Sequence, residues 1–375
     1  MNRRYDACVV LNYYAPYTSG LTKVAVDVAE ALAAKGKRVA AVASRHDDSL
    51  PRFEIRGGVH VHRARVAARI GRGVISPGFA ALAGRIARDS GVVNLHLPML
   101  EAGPVARAAR GTPVVAHHHD DVWLSRGFMT GAQVAIVERS VAAALRRSAA
   151  VVVANTDHAK SSRHWSIMEQ RRVCAVSPPC RRREPGLPAF RDGAGPHVGF
   201  LGRMAPEKGL HHLVRAFLDW EDPDARLLLA GDEGVAGGAV VADLRRLAAG
   251  DDRVRFLGRL DEESIADFHA SLDAFALPSV AEESFGITQT EAMMSGVPVV
   301  ASDLPGMRVP LQTTGFGELF EAGDEAALLA ALQRVCRYGE SRRAAGAASA
   351  AASFSAASTL DAYAALLAET ASGSF

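Results

Sequence analysis

Cysteine is scarce in this chain: Cys8, Cys174, Cys180 and Cys336 are its four thiols in 375 residues, and no two are spaced CxxC. That excludes a disulfide scaffold, a zinc knuckle built on cysteine and a dithiol redox pair. Long apolar runs are missing too, none approaching the roughly 18 to 20 residues of a membrane helix. The opening "MNRRYDACVVLNYY" carries two arginines, but Asp6 interrupts it and the apolar stretch is strand-length, so it reads as a first strand and not a secretion signal. A cytoplasmic protein is expected. GxxxxGK[ST] occurs nowhere, which excludes a P-loop, and GxGxxG does not follow the first strand, which removes the nicotinamide-dinucleotide fingerprint.

Hydrophobic residues make up 49% and charged residues 22%, a composition that packs cores. The length implies two domains. The net charge of +2 hides an asymmetry: residues 1 to 190 hold 28 Lys+Arg and 14 Asp+Glu, whereas residues 191 to 375 hold 15 and 27. A basic half suits phosphates, an acidic acceptor or anionic lipid, or an acidic partner half across a cleft.

Apolar strand-length segments alternate with helical ones throughout. "DACVVLNYY" reads as a strand and "TKVAVDVAEALAAKG" as a helix with Val24, Val28 and Leu32 on one face. "KRVAAVAS", "GVVNLHLP", "TPVVAHHH" and "SAAVVVANT" are further strands, and continuous apolar strands of this kind belong to a parallel sheet covered on both faces. The pattern breaks in the breaker-rich "VSPPCRRREPGLPAFRDGAGP" and restarts at His197. The expected organisation is a first doubly wound domain over 1–180, a linker over 181–196, a second over 197–355, and a last helix over 356–375 with a mobile end that packs back on the first domain. Ligands of such sheets bind beyond the carboxyl ends of the strands.

In "HVGFLGRMAPEKGLHHLVRAF", Arg203 and Lys208 flank a turn opened by Gly202 and Gly209 ahead of a helix, an arrangement that can hold an anion or be ordinary solvated charge. Gly20 stands before the first helix, where a glycine admits a pyrophosphate. In "ESFGITQTEAMM", the segment Ser284, Phe285, Gly286 and Ile287 enters a helix whose N–H groups can donate to ligand oxygens, and Glu283 and Glu291 bracket it. Two carboxylates so spaced can accept from sugar diols, or act as a helix cap and a core-edge acid.

These segments, with "LLLAGDEG", "VRFLGRLDEE" and "PSVAEESFGITQTEAMMSGVPVVASDLPG", resemble the retaining nucleotide-sugar glycosyltransferases of family 4, two-Rossmann enzymes of the GT-B architecture whose α/β doubly wound domains face a cleft. The resemblance covers nearly the whole chain, and its most specific part is Glu-x7-Glu at Glu283 and Glu291. It implies that Arg203 and Lys208 neutralise the donor diphosphate with Gly20 and Gly202 beside it. Glu283 would hold the donor sugar with the backbone of Ser284, Phe285, Gly286 and Ile287, Glu291 the ribose, and Arg259 the border of the base. In "PVVAHHHDDVW" the best match to the family's strand-end histidine is His118, beside the anomeric carbon, with His119 and Asp120 on the acceptor side. The triple histidine is a departure, as is Ser19 where a second glycine is common. His117 and His119 share a strand face, yet a zinc site needs a third convergent ligand that the sequence does not name, so no metal and no cofactor are expected.

The implied reaction is retaining transfer of a hexose from a nucleoside-diphosphate sugar, UDP- before GDP- or dTDP-linked, to a small or glycan hydroxyl acceptor. A sugar-nucleotide epimerase of this shape, a phosphorylase and a non-catalytic nucleotide-sugar-binding subunit are the rivals. Nucleic acid is not expected. The basic stretch 52–73, with Arg69 and Arg72, and Arg181, Arg182 and Arg183 read as solvated charge, with peripheral membrane contact the secondary reading.

Overall fold

The chain forms two units, Met1–Pro179 with Ala357–Phe375 and Cys180–Ala356, in a computed structural model that describes residues 3–70, 73–122, 130–232, 234, 238–281 and 283–373. Arg72 lies outside the described residues, as do the last two residues of the tail.

The first unit is built on β1 (Tyr5–Val10), β2 (Val39–Ser44), β3 (Phe53–Arg56), β4 (Val59–Ala64), β5 (Ala68–Ile70), β6 (Gly73–Ile75), β7 (Ser90–Leu97), β8 (Val114–His118), β9 (Ala150–Val153) and β10 (Arg172–Ala175). Eight of them form one sheet in the order β10-β9-β8-β7-β1-β2-β4-β3, while β5 and β6 pair separately. Every residue of β2, β7, β8 and β9 is buried. These strands alternate with helices and pair in parallel, as continuous apolar runs require when both faces are covered. The first helix, Gly20–Ala34, turns Val24, Val28 and Leu32 inward, and Ser19 caps it by accepting from the Thr22 N–H at 3.1 Å.

Part of the basic stretch departs from the surface reading. Residues 53–64 form a β3–β4 hairpin turned by Gly57 and Gly58, both with positive φ. Arg63 is buried: its guanidinium donates to Glu54 at 2.5 Å and to the Ala15 carbonyl at 2.9 Å. Arg69 donates to the His46 carbonyl.

The second unit holds β11 (His197–Leu201), β12 (Arg226–Ala230), β13 (Val254–Gly258), β14 (Ala274–Leu277), β15 (Val299–Ser302) and β16 (Gly317–Phe320). Its order, β13-β12-β11-β14-β15-β16, is all parallel. This is the doubly wound Rossmann order, whose direction of winding reverses between β11 and β14 and leaves a crevice beyond their carboxyl ends.

The Ala/Ser-rich tail is ordered through two helices, Glu340–Phe354 and Ala356–Ser372. The second belongs to the first unit; it buries Tyr363, Leu366 and Leu367, each worth about 1.5–3 kcal/mol of removed apolar surface. Cys180 forms a parallel bridge with Ser355, and the Ala356 N–H donates to the Cys180 carbonyl at 3.0 Å, so the two crossings between units leave the second unit side by side.

Candidate active site

β11 ends at Leu201, and the chain then runs through Gly202 and Arg203 into a single tight turn, Pro206–Lys208. Gly209 follows with φ +64, and a Cβ there would sit 1.9 Å from the Pro278 carbonyl oxygen, so only glycine fits between this loop and the one leaving β14. The Val280 N–H donates to the Glu207 carbonyl at 3.0 Å, a second stitch between the same loops. Gly231 packs as tightly from the other side, its virtual Cβ 1.7 Å from the Gly202 carbonyl oxygen.

That clamp sets the charges. Lys208 Nζ lies 2.9 Å from Glu283 Oε2 with both side chains largely buried, and Ser279 Oγ donates to the same oxygen at 3.2 Å. Arg203, half exposed, pairs with Glu207 at 3.2 Å. The switch point of the sheet therefore gathers two cations, Arg203 and Lys208, each paired with a carboxylate, Glu207 and Glu283. The following helix, Ile287–Met294, has Gly286, at φ +81, as its N-cap residue, which has no side chain to cap it. Phe285 is core, edge-on to Phe354, which leaves its backbone as the part that can face a ligand. Ser284 and Ile287 are half-buried and Arg259 is exposed just past β13.

Glu291 departs from the open diol acceptor expected of it. It is 3% exposed on the inner face of that helix. Arg183 donates to its Oε2 at 2.5 Å and the Arg181 N–H to its Oε1 at 3.3 Å. Arg183 also reaches Glu262 at 3.2 Å. This corrects the solvated reading of Arg183, whose side chain is 10% exposed: a linker arginine holds the second glutamate of Glu-x7-Glu. Buried His269 lies in the field of both groups; burial first, then Arg183, push its pKa down to about 4 against the opposing pull of Glu291.

In the first unit, a Cβ at Gly20 would meet no atom of the described residues within 4 Å beyond its chain neighbours and its own helix backbone, so these residues do not demand glycine there. The histidine run alternates as strand geometry dictates. His118, buried, has Nε2 3.3 Å from Asp121 Oδ1. Asp121 also accepts from Ser162 Oγ at 2.8 Å and from the Arg163 N–H at 2.9 Å. Burial alone would raise the Asp121 pKa, but these donors outweigh it and hold the group well below the usual carboxylate range. Asp120 lies 3.4 Å from His158.

His119 has other partners than an acceptor would give it. Its ring stacks on His117 at 3.7 Å between centroids, and its Nε2 is 2.8 Å from His96 Nδ1. His96 supplies the third convergent imidazole that the sequence left unnamed: ligand nitrogens of His96, His117 and His119 all lie within 4.8 Å of one another. Among the described residues, no helix is long and apolar enough to cross a membrane. Reasoning from sequence also missed Asp121, Arg183 and Ser279; the run Asp120–Asp121 was visible, but its pairing with His118 depends on the turn after β8.

Two family models match in tandem, "Glycosyl transferase 4-like domain" over residues 19–179 and "Glycosyl transferases group 1" over 195–337. A phosphatidyl-myo-inositol mannosyltransferase of Mycobacterium leprae is 30% identical over 349 residues, covering 88% of this chain and 87% of that one. A GDP-mannose-dependent alpha-mannosyltransferase of Mycolicibacterium smegmatis is 30% identical over 357 residues, 89% and 91% of the two chains. A sucrose-phosphate synthase structure from Thermosynechococcus elongatus superposes with a TM-score of 0.76 at 20% identity, over 97% of this chain and 98% of that one. With both halves matched and relatives aligned along almost its full length, the chain belongs to the family 4 glycosyltransferases of GT-B type.

Proposed function

We propose that this glycosyltransferase moves a hexose from a nucleoside-diphosphate sugar to a hydroxyl acceptor with retention at the anomeric carbon, without a metal. The observation that carries the donor reading is the Lys208–Glu283 pair at the carboxyl ends of β11 and β14, beside Arg203 and the backbone around Gly202 and Gly286. A diphosphate laid there meets two cations that neutralise the charge it gains as it leaves. Glu283 accepts from the sugar hydroxyls, Glu291 serves the ribose once Arg183 yields, and Arg259 borders the base. His118, oriented by Asp121, sits by the anomeric carbon in this reading, with Gly20 admitting the phosphates and Asp120 on the acceptor side. The acceptor O–H attacks the anomeric carbon on the face from which the diphosphate departs. The C–O bond to phosphate breaks as the new C–O bond forms, and a departing phosphate oxygen takes the acceptor proton.

The name of the M. smegmatis relative makes GDP-mannose the first donor to test, ahead of the UDP-sugars expected from sequence. The inositol in the name of the M. leprae relative favours a cyclitol-type acceptor. The test titrates GDP-mannose, UDP-glucose and dTDP-glucose while following thermal unfolding, since a ligand that binds only the folded state raises the melting temperature. One of them should do so in the wild type and lose most of its effect in Lys208→Ala. Equal shifts in both proteins, or none from any donor, overturn the reading; an isomerised sugar formed without acceptor would identify an epimerase instead.

A further inference from the structure

β7 and β8 run parallel with His96 directly beside His117 in the register, so the two imidazoles leave the same face of the sheet. His119, two residues further along, returns to that face. The three rings lie 3.7 to 5.1 Å apart between centroids. Their donor set is all nitrogen. We propose that His96, His117 and His119 form a binding site for one zinc-class divalent transition-metal ion inside the first unit.

The surroundings supply what a ligating histidine needs. His96 Nε2 lies 2.9 Å from Asn94 Oδ1; the amide oxygen can only accept, so Nε2 carries the proton and Nδ1 presents its lone pair to the other two rings. The Tyr363 hydroxyl lies 3.0 Å from the His117 ring nitrogens and orients that ring from the helix Ala356–Ser372. Neutral imidazole is the form that binds metal. Imidazoles without a carboxylate suit zinc, cobalt, nickel or copper and not magnesium or calcium. Tetrahedral zinc at about 2.0–2.1 Å from each nitrogen places them about 3.3 Å apart. The His96–His119 pair, at 2.8 Å, needs to open slightly and the widest pair to close, both within reach of side-chain rotation. Three protein ligands leave a fourth position for water. The ion would replace the proton shared between His96 and His119, and through His117 and Tyr363 it would fasten the last helix to β8.

The three ligands are none of the residues to which the donor reading gives a role, so zinc binding and donor binding are read separately, and failure of one is distinguishable from failure of the other. Chelator-treated protein is titrated with zinc against a chromophoric competitor. One equivalent should bind per chain, at least tenfold more weakly in His117→Gln and in His96→Gln, and zinc should raise the melting temperature of the wild type but not of the variants. Because these buried substitutions could unfold the protein, cobalt(II) is added to the wild type as well. Intense visible bands of a four-coordinate nitrogen-ligated ion are expected, and magnesium should not displace it. The weak spectrum of octahedral cobalt, no stoichiometric zinc binding, or undiminished affinity in folded variants, which would put the ion elsewhere, each overturns the proposal.

Discussion

Lys208 and Glu283 meet at 2.9 Å although they lie 75 positions apart in the chain, because the strands preceding them, β11 and β14, are neighbours in the sheet. Each neutralises the other at a place where two loops are pinned together through Gly209. Replacing Lys208 by alanine removes one of two cations facing the diphosphate. Transfer should fall at least about 100-fold, while folding stability changes by no more than about 1 kcal/mol because Glu283 retains access to water. Steady-state kinetics and urea denaturation of the same preparation check both halves.

Arg183 and Glu291 are bound differently, since both are buried. Arg183→Ala leaves a carboxylate at 3% exposure with its main cation gone, and the protein should lose about 3 kcal/mol. Adding Glu291→Gln to that variant should recover much of the loss, because a neutral amide tolerates the site. A double-mutant cycle in urea measures the coupling; additive effects would mean the pair is not energetically linked.

Gly209→Ala should be disproportionately harmful for a single methyl. The residue has positive φ, and the added carbon meets backbone, not a side chain that could swing away. Backbone strain of about 1–3 kcal/mol is expected, along with weaker donor binding as the loops after β11 and β14 are forced apart. Gly20→Ala, with nothing within 4 Å, should leave stability unchanged and provides the contrast.

Stability should fall with acidification, and His269 is one of several buried or half-buried histidines that contribute, with His62, His96, His117 and His119. The folded pKa of His269 is pushed down to about 4 from an ordinary 6.5. Between those values the unfolded chain binds a proton that the folded chain refuses, so stability decreases as pH falls from about 6.5 to about 4, by an amount on the order of 3 kcal/mol. His269→Gln, which cannot titrate, should make that part of a stability-against-pH curve, measured by urea denaturation, shallower by its share.

How much of this was legible follows from the range of each signal. The β11-turn-helix segment and the Glu283 to Glu291 segment are local patterns, and apolar periodicity with glycine punctuation located their strands and helices to within a few residues. The β3–β4 hairpin was hidden because its alternation mixes histidine and arginine with valine, and Arg63 is buried through a partner nine residues away. Arg183 looked like surface charge because its partner, Glu291, lies 108 positions along the chain. His96 was unremarkable in sequence; only the parallel pairing of β7 with β8 brings it beside His117. Single-sequence patterns carry the elements, while ion pairs and metal-competent clusters depend on which strands become neighbours.

The return of the helix Ala356–Ser372 to the first unit has a bearing on synthesis. Tyr363 packs on His117 of β8, more than 200 residues earlier in the chain, and Leu366 and Leu367 are buried on the same helix. Until this helix has been synthesised, the nascent amino-terminal sheet waits without it and His117 lacks its tyrosine. The carboxy-terminal Rossmann unit, contiguous from Cys180 to Ala356, is the portion free to mature first, so folding order should run against the direction of translation.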